Sequence, residues 1–109
     1  MRLQEKAKRD ITLRPRTGGT DVPIWGAGTS TRAVIQPLGG AVAAQVYGEK
    51  VSRMKLMLYD GTETLVEGMG VCVDVAGDQP CDYFIKIPPE PWSGHQRTTL
   101  EWISPGRRA

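Results

Sequence analysis

A run of small residues is the first stretch whose composition could support chemistry. In Gly26-Ala27-Gly28-Thr29-Ser30-Thr31, the glycines would let backbone N–H groups approach a phosphate. Phosphate-binding loops of that kind also carry a lysine and lead into a helix, whose N-terminus binds the anion. Here the lysine is missing and the following residues predict a strand. We therefore expect no nucleotide binding at this loop.

Catalytic and metal-binding residue types are scarce. The chain has one histidine, His95, and two cysteines, Cys72 and Cys81. At these spacings they form neither a catalytic triad nor an ordinary zinc set without help from carboxylates. The nearby carboxylates are typical of acidic turns and strand surfaces: Asp74, Asp78 and Asp82. The sequence predicts no catalytic centre, no metal site and no cofactor, so we expect a protein that is not an enzyme.

The two cysteines are predicted to be free thiols. If residues 71–75 pair with residues 82–87, Cys72 lies opposite a residue near Ile85 and away from Cys81. The N-terminus, MRLQEKAKRD, is charged and lacks an apolar signal segment, which indicates synthesis and assembly in a reducing cytoplasm. No apolar run reaches about 18 residues, so we expect no membrane-spanning segment.

Three tryptophans raise the alternative of nucleic-acid binding. On a small barrel, Trp25, Trp92 and Trp102 could stack on the bases of a single strand. Trp102, however, alternates with Leu100 on an inward face, and the other two lie in loops without adjoining basic residues. These positions favour packing in a core or at a protein interface.

Size, composition and alternation predict a β fold. The chain has 109 residues, with 39% hydrophobic residues, 13 glycines and 8 prolines, which indicates one small, turn-rich domain. It is organised around residues 51–75, where two alternating segments are joined by a turn at Asp60-Gly61. The side chains of Met54, Leu56 and Leu58 are predicted to share one face of the first segment. Those of Val71, Val73 and Val75 are predicted to share one face of the second.

Four further strands are predicted at residues 10–14, 31–37, 81–87 and 97–103. Pro88-Pro89-Glu90-Pro91 predicts a stiff turn, residues 17–30 a long loop, and residues 41–50 one or two turns of helix. The fold class is therefore mainly all-β: a small six-stranded β-barrel or sandwich with one short helical segment and long loops. The predicted organisation is a mobile N-terminal arm (1–8), one barrel domain (9–103) and a C-terminal tail (104–109).

Charge is unevenly distributed along the chain. The net charge is only +2, which gives no general case for nucleic-acid binding. Residues 1–16 are nevertheless rich in arginine and lysine, whereas residues 60–90 are rich in aspartate and glutamate. Such a distribution suits contacts with copies of the chain or with charged neighbours, and an ordinary solvated surface is the alternative.

The order of these features resembles the head–tail joining proteins of tailed bacteriophages, in the head-closure or stopper family. The resemblance covers roughly residues 9–103. It rests on the short opening strand RDITLRPR (9–16), a variable loop containing Trp25, the strand and small-residue break AVIQPLGG (33–40), and a segment with Gln45 that leads to a strand ending in Tyr59. The glycine-containing strand LVEGMGVCV (65–73) and a final strand pair complete it.

This resemblance implies a ring-forming structural protein of the virion neck, assembled in the host cytoplasm. Its expected partners are copies of itself, portal and adaptor proteins on the head side, tail terminator or tail tube proteins on the tail side, and the packaged double-stranded DNA. A loop that closes the channel is expected at residues 39–51, with residues 17–30 as the other possibility. The channel-loop candidates are Gly39, Gly40, Ala41, Gln45, Tyr47 and Lys50. The candidates for partner interfaces are Arg2, Lys6, Lys8, Arg9, Trp25, Trp92, Arg107 and Arg108.

Other functions remain open at the level of sequence. An adaptor or a tail terminator would also be a small, partly β neck protein. A free-standing nucleic-acid-binding barrel predicts salt-dependent affinity for oligonucleotides. A small enzyme or metal-dependent domain predicts stoichiometric metal in the purified protein.

Overall fold

The computed structural model of the protein describes residues 5–20, 22–37, 53–92 and 95–105. Within these residues a 3₁₀ turn covers Glu5–Ala7, and β-strands make up most of the rest. The strands are β1 (Arg9–Arg14), β2 (Arg16–Gly18), β3 (Ile24–Trp25), β4 (Thr29–Pro37), β5 (Met54–Tyr59), β6 (Gly70–Cys72), β7 (Tyr83–Trp92) and β8 (His95–Trp102). Among the described residues, no helix is long and apolar enough to cross a membrane.

Six strands form a closed antiparallel barrel in the order β1-β4-β5-β8-β7-β6. Each barrel strand therefore has a hydrogen-bonded neighbour on both sides, which removes the exposed edges that favour aggregation. The six strands correspond to the six that the sequence predicts. The predicted fold class, a small all-β barrel, is confirmed.

The barrel interior is filled by residues that alternate along each strand. On β1, Ile11 and Leu13 are buried, as the sequence predicts, and they pack with Tyr83, Ile85 and Leu100 from β7 and β8. Every second residue of a strand points to the same face, so one continuous apolar cluster results from six short segments. Burial of such side chains is the main stabilising term for a domain of this size.

The predicted central hairpin is wrong. β5 pairs with β4 and β8, whereas β6 pairs with β1 and β7, so β8 and β7 lie between them. The connection from residue 60 to residue 69 therefore runs from β5 to β6, which are not neighbours in the barrel. It is joined to β7 through Gly68, whose N–H donates to the Ile85 carbonyl at 2.8 Å, and through Met69, whose carbonyl accepts from the Ile85 N–H at 2.9 Å. Because both segments alternate, the local pattern could not indicate which neighbours they pair with.

The inward face of β5 also differs from the prediction. Met57 and Tyr59 lie in the barrel core, whereas Leu56 and Leu58 are half-buried on the opposite face. Met54, the third residue predicted to point inward, is buried. Met57 pairs with Ile35 on one side and with Thr98 on the other. Both faces of this strand carry apolar residues, so a shift by one residue leaves the pattern almost unchanged, and the pairing of the neighbouring strands decides which face is inward.

The proline-rich segment is strand and not a turn. β7 continues through Pro88 and Pro91 to Trp92, which pairs with His95. The pairing with β8 shifts register between Ile85 and Ile87 and again between Ile87 and Glu90. Proline lacks an N–H donor, so an irregular ladder is expected where prolines enter a strand.

Several predictions fall on other parts of the chain. Residues 17–30 are not an irregular loop, because they contain the antiparallel β2–β3 pair and the start of β4. The predicted helix at 41–50 lies outside the described residues, as do the channel-loop candidates at 39–50. The interface candidates Arg2, Arg107 and Arg108 also lie outside them, and of Trp92 only the backbone is described.

A buried ion pair joins the N-terminal segment to the end of β5. The Lys8 Nζ lies 2.8 Å from an Asp60 carboxylate oxygen, and both side chains are 5% exposed. Removing one member of such a pair leaves a desolvated charge without that partner, whereas replacing both members by apolar residues removes the problem. This pair therefore fixes the chain where it enters the barrel.

Replacing Lys8 with methionine should lower the free energy of unfolding by about 3 kcal/mol, because the Asp60 carboxylate loses its buried cation. Urea unfolding measures this value. The double variant Lys8→Met/Asp60→Leu should recover most of the loss. Lys6→Met, at an exposed position, is the control. A single variant as stable as the control would show that the pair contributes nothing.

Candidate functional site

A cleft lies between the β2–β3 hairpin and the adjoining barrel strands. Its volume is about 300 Å³. The lining combines aromatic rings with basic side chains, and its main residues are Arg16, Trp25, Arg53, Phe84, Glu101 and Trp102. Aromatic rings beside guanidinium groups can hold a flat or apolar group that carries negative charge.

The hairpin is held against the barrel by Arg14, the last residue of β1. Its guanidinium donates to the carbonyls of Gly26 at 2.8 Å and Trp25 at 3.3 Å, and to the Gln79 carbonyl at 2.9 Å. The Gly26 N–H in turn donates to the Pro15 carbonyl at 2.7 Å. One partly buried cation thus joins three parts of the chain: β1, the segment after β3, and the loop between β6 and β7.

Gly70 creates the space that Trp25 needs. A Cβ atom at this position would lie 2.8 Å from the Trp25 ring and 2.5 Å from the Cys81 sulfur, both closer than real contacts allow. The ring can therefore rest against the barrel only because β6 begins with glycine. Gly26 and Gly28 have a similar role, since Cβ atoms there would crowd Thr17 and Thr12. The glycines that suggested a phosphate loop thus serve close packing around β1.

The two arginines of the cleft are positioned differently. The Arg53 guanidinium lies 5.9 Å from the centre of the Trp102 ring, within the range of a cation–π contact. Arg16 instead donates to carbonyls of its own hairpin, those of Gly18, Gly19 and Thr20, at 2.7 to 3.3 Å. Arg53 therefore faces the aromatic lining, and Arg16 stabilises the hairpin turn.

Charges that are far apart in the sequence meet within the fold. Arg9 forms an ion pair with Asp74 at 2.9 Å and also donates to the Val73 carbonyl at 2.8 Å. Together with Lys8 and Asp60, this contact joins the basic N-terminal segment to the acidic span. Both Arg9 and Asp74 are about half exposed, so the pair contributes at most about 1 kcal/mol. The separation of charge along the sequence is thus partly neutralised within one molecule.

The residue types that could bind metal do not converge. Among the described residues, no group of three or more histidine, cysteine, aspartate or glutamate side chains could hold a metal ion. The Nδ1 atom of His95 is buried, and no described residue forms a hydrogen bond with it. Asp82, predicted at the surface, is 2% exposed, and its carboxylate accepts the N–H groups of Val73 and Asp74, each at 2.9 Å. That arrangement is a structural cap on the loop between β6 and β7.

The cysteines are free thiols, as predicted, but the predicted distance between them is wrong. The sulfur atoms of Cys72 and Cys81 lie 3.3 Å apart, and both residues are buried. The observed register places Val71 opposite Tyr83, so the start of β7 lies closer to Cys72 than the predicted pairing with Ile85 implied. The hydrogen bond between the two thiols lowers the pKa of Cys72 despite its burial. The same bond, together with burial, raises the pKa of Cys81.

Sequence reasoning identified only part of this site. It singled out Trp25 and Trp102, but it treated Trp25 as lacking basic neighbours, whereas the fold brings Arg16 and Arg53 to the same cleft. Arg53 and Phe84 were not candidates. Each of them lies on the polar or outward face of a predicted strand, next to a strand that contains an aromatic residue. That position is the one signal the sequence gives for them. Of the candidates for partner interfaces, Lys6 is exposed, whereas the Lys8 side chain forms a buried ion pair with Asp60.

Comparisons with protein-family models, with curated proteins and with solved structures find no match to this chain.

Replacing Gly70 with alanine should lower the free energy of unfolding by about 2 kcal/mol, because the new methyl group overlaps the Trp25 ring and the Cys81 sulfur. Denaturant unfolding followed by circular dichroism gives the value. Gly18→Ala, in the β2–β3 hairpin, is the control, since a Cβ there meets only the Ile24 side chain at 3.8 Å. Equal stability of the two variants would contradict the packing of Trp25 on Gly70.

Proposed function

We propose that this chain is a ring-forming structural protein of the neck of a tailed-phage virion. In this role it is a head-closure or stopper protein, which joins the portal and adaptor to the tail and helps to retain packaged DNA. The order of sequence features that resembles this family supports the proposal, and a small closed barrel is the fold that the resemblance implies. Adaptor and tail terminator are alternative positions within the same neck.

The observation that carries the proposal is the apolar surface of the β2–β3 hairpin. Ile24 is 57% exposed and Val22 is 37% exposed, next to the cleft that contains Trp25. Every barrel strand already has two hydrogen-bonded neighbours, so a copy of the chain cannot bind by adding a strand to the barrel. Contacts between copies would then use side chains or the outer edges of the β2–β3 hairpin, and exposed apolar side chains beside a concave surface suit such contacts.

The connection between β4 and β5 supports a channel element. Pro37 pairs with Lys55, so residues 38–53 join two strands that are direct neighbours in the barrel. A hairpin needs as few as about two residues for this purpose. The connection is thus longer than the pairing of its two strands requires, and we propose residues 39–51 for the closure of the channel. The candidates there are Gly39, Gly40, Ala41, Gln45, Tyr47 and Lys50.

The charge of the chain is compatible with DNA that must pass and leave again. A densely basic lining would hold phosphates strongly and without regard to sequence. The net charge is +2, and part of the basic N-terminal segment is paired with carboxylates of the same molecule. In the proposed particle, the ring therefore retains DNA by obstruction of the channel more than by attraction to phosphates.

Replacing Ile24 with aspartate should reduce the ring population at least about tenfold, because a charge would be buried without a partner at the contact between copies. The readout is native mass spectrometry in the presence of portal complexes. Stability should stay within about 0.5 kcal/mol of the wild type, since the residue is exposed. Thr64→Asp adds the same charge at an exposed site between β5 and β6 and serves as the control. Rings of Ile24→Asp in wild-type yield would contradict this use of the hairpin.

The cleft favours a second candidate, a small nucleic-acid-binding barrel. Trp25, Trp102 and Arg53 together offer aromatic faces and a cation, the combination on which single-stranded bases stack. This arrangement is not apparent from the sequence, because Arg53 is distant from both tryptophans along the chain.

On this second candidate, titration with a fluorescent single-stranded oligonucleotide gives salt-dependent binding. Trp25→Leu should weaken that binding roughly tenfold, as expected for the loss of one stacking contact. Lys6→Ala, at an exposed position outside the cleft lining, is the control for a general loss of positive charge. Binding that is absent at low salt, or unaffected by Trp25→Leu, would remove this candidate.

A further inference from the structure

The two buried cysteines lie where the barrel is closed by its shortest segment. Cys72 is the last residue of β6, and Cys81 lies two positions before β7 begins. β6 is held to β7 by two residue pairs, Gly70 with Phe84 and Val71 with Tyr83. The sulfur atoms are 3.3 Å apart, and a disulfide requires about 2.05 Å. Bond formation therefore requires the two sulfur atoms to approach each other by about 1.2 Å more.

The residues around the cysteines hold both strand ends in place. The Asp82 carboxylate binds the N–H groups of Val73 and Asp74, which immediately follow Cys72. Arg14 donates to the Gln79 carbonyl, which fixes the loop just before Cys81. The backbone is therefore anchored on both sides of the pair, and the thiols are held near each other instead of meeting by chance.

The two thiols differ in their surroundings. Cys72 lines a second, shallow cleft together with residues of β1, β4 and the loop after β6, among them Thr12, Thr31 and Gly77. Cys81 does not line this cleft and is 0% exposed, against 2% for Cys72. A small oxidant that enters the cleft therefore meets Cys72 first. The lowered pKa of Cys72 agrees with this order, because the thiolate is the reacting form.

We propose that Cys72 and Cys81 form a peroxide-oxidisable dithiol that converts into an intramolecular disulfide across the seam between β6 and β7. The Cys72 thiolate attacks one oxygen of hydrogen peroxide, which breaks the O–O bond, gives a sulfenic acid at Cys72 and releases hydroxide. The Cys81 thiol then attacks the Cys72 sulfur, the S–S bond forms, and the sulfenic oxygen leaves as water. Overall, two thiols and one peroxide give one disulfide and two waters.

The disulfide would add a covalent closure to the barrel. It links the end of β6 to the start of β7, where the hydrogen-bonded contact is short. The disulfide closes a loop of residues 73–80. Within this loop the Val73 N–H donates to the Asp82 carboxylate, and the Gln79 carbonyl accepts from Arg14. Closing a loop of this length restricts the unfolded chain, so the oxidised protein should unfold at a melting temperature about 10 °C higher.

The test uses the full chain, purified in the reduced state and treated with hydrogen peroxide. The expected product is a single polypeptide, not cross-linked to another copy, that has lost about 2 Da and yields a peptide in which Cys72 is linked to Cys81. Its melting temperature should rise by about 10 °C, and a thiol reductant should reverse both changes. Thiols that stay reduced under conditions that oxidise glutathione would overturn the proposal, as would oxidation that occurs only in urea.

Single variants test the separate roles of the two thiols. Cys81→Ser should stop at a sulfenic acid on Cys72, which a sulfenate-specific dione reagent traps with a defined gain in mass. Cys72→Ser should remain reduced, because Cys81 is fully buried and does not line the cleft. The reverse pattern would overturn the assignment of Cys72 as the attacking thiol. Peptide mapping of the wild-type protein over time gives the same answer if a variant fails to fold.

Discussion

Closure of the barrel through β6 is the constraint on which the rest of the structure depends. This strand has three residues, yet it must pair with β1 on one side and β7 on the other. So short a strand offers few hydrogen bonds, and the surrounding contacts reinforce it. Asp82 caps the backbone beyond β6, Arg14 binds the loop that follows, and Gly70 lets Trp25 pack directly on the strand. The cysteine pair, the Trp25 ring of the hairpin and the Phe84 side of the cleft all adjoin this seam.

Strand number and class were predictable from the sequence, because alternation is a local property. All six barrel strands appear at the predicted places, with Ile11 and Leu13 inward. Strand partners were not predictable, since β5 and β6 alternate equally well whether they pair with each other or with distant strands. The inward face of β5 was ambiguous for a related reason, as Leu58 and Tyr59 are both apolar enough for a core. The prolines of β7 mislead because an irregular ladder tolerates them, which only the pairing with β8 reveals.

The candidate site was harder to predict than the fold. Trp25 and Arg53 come together only because the β2–β3 hairpin packs against the barrel. Nothing in their local sequence indicates where the hairpin packs. The pairing of charged side chains was equally hard to predict. Lys8 and Asp60 are far apart in the sequence and 2.8 Å apart in the fold, so a segment that looks available to a partner is partly satisfied within the molecule. On the neck proposal, binding of neighbouring copies then falls to the apolar hairpin surface, with Ile24 and Val22 exposed.

The most direct test of the proposed function is the mass of the particle that the purified protein forms, measured by native mass spectrometry alone and after mixing with tailed-phage portal complexes. We expect closed rings of identical subunits, formed either spontaneously or only on the portal. Negative-stain images of the same samples should show a ring stacked on the portal with a narrowed channel. A chain that stays monomeric and does not bind the portal under both conditions would contradict the account.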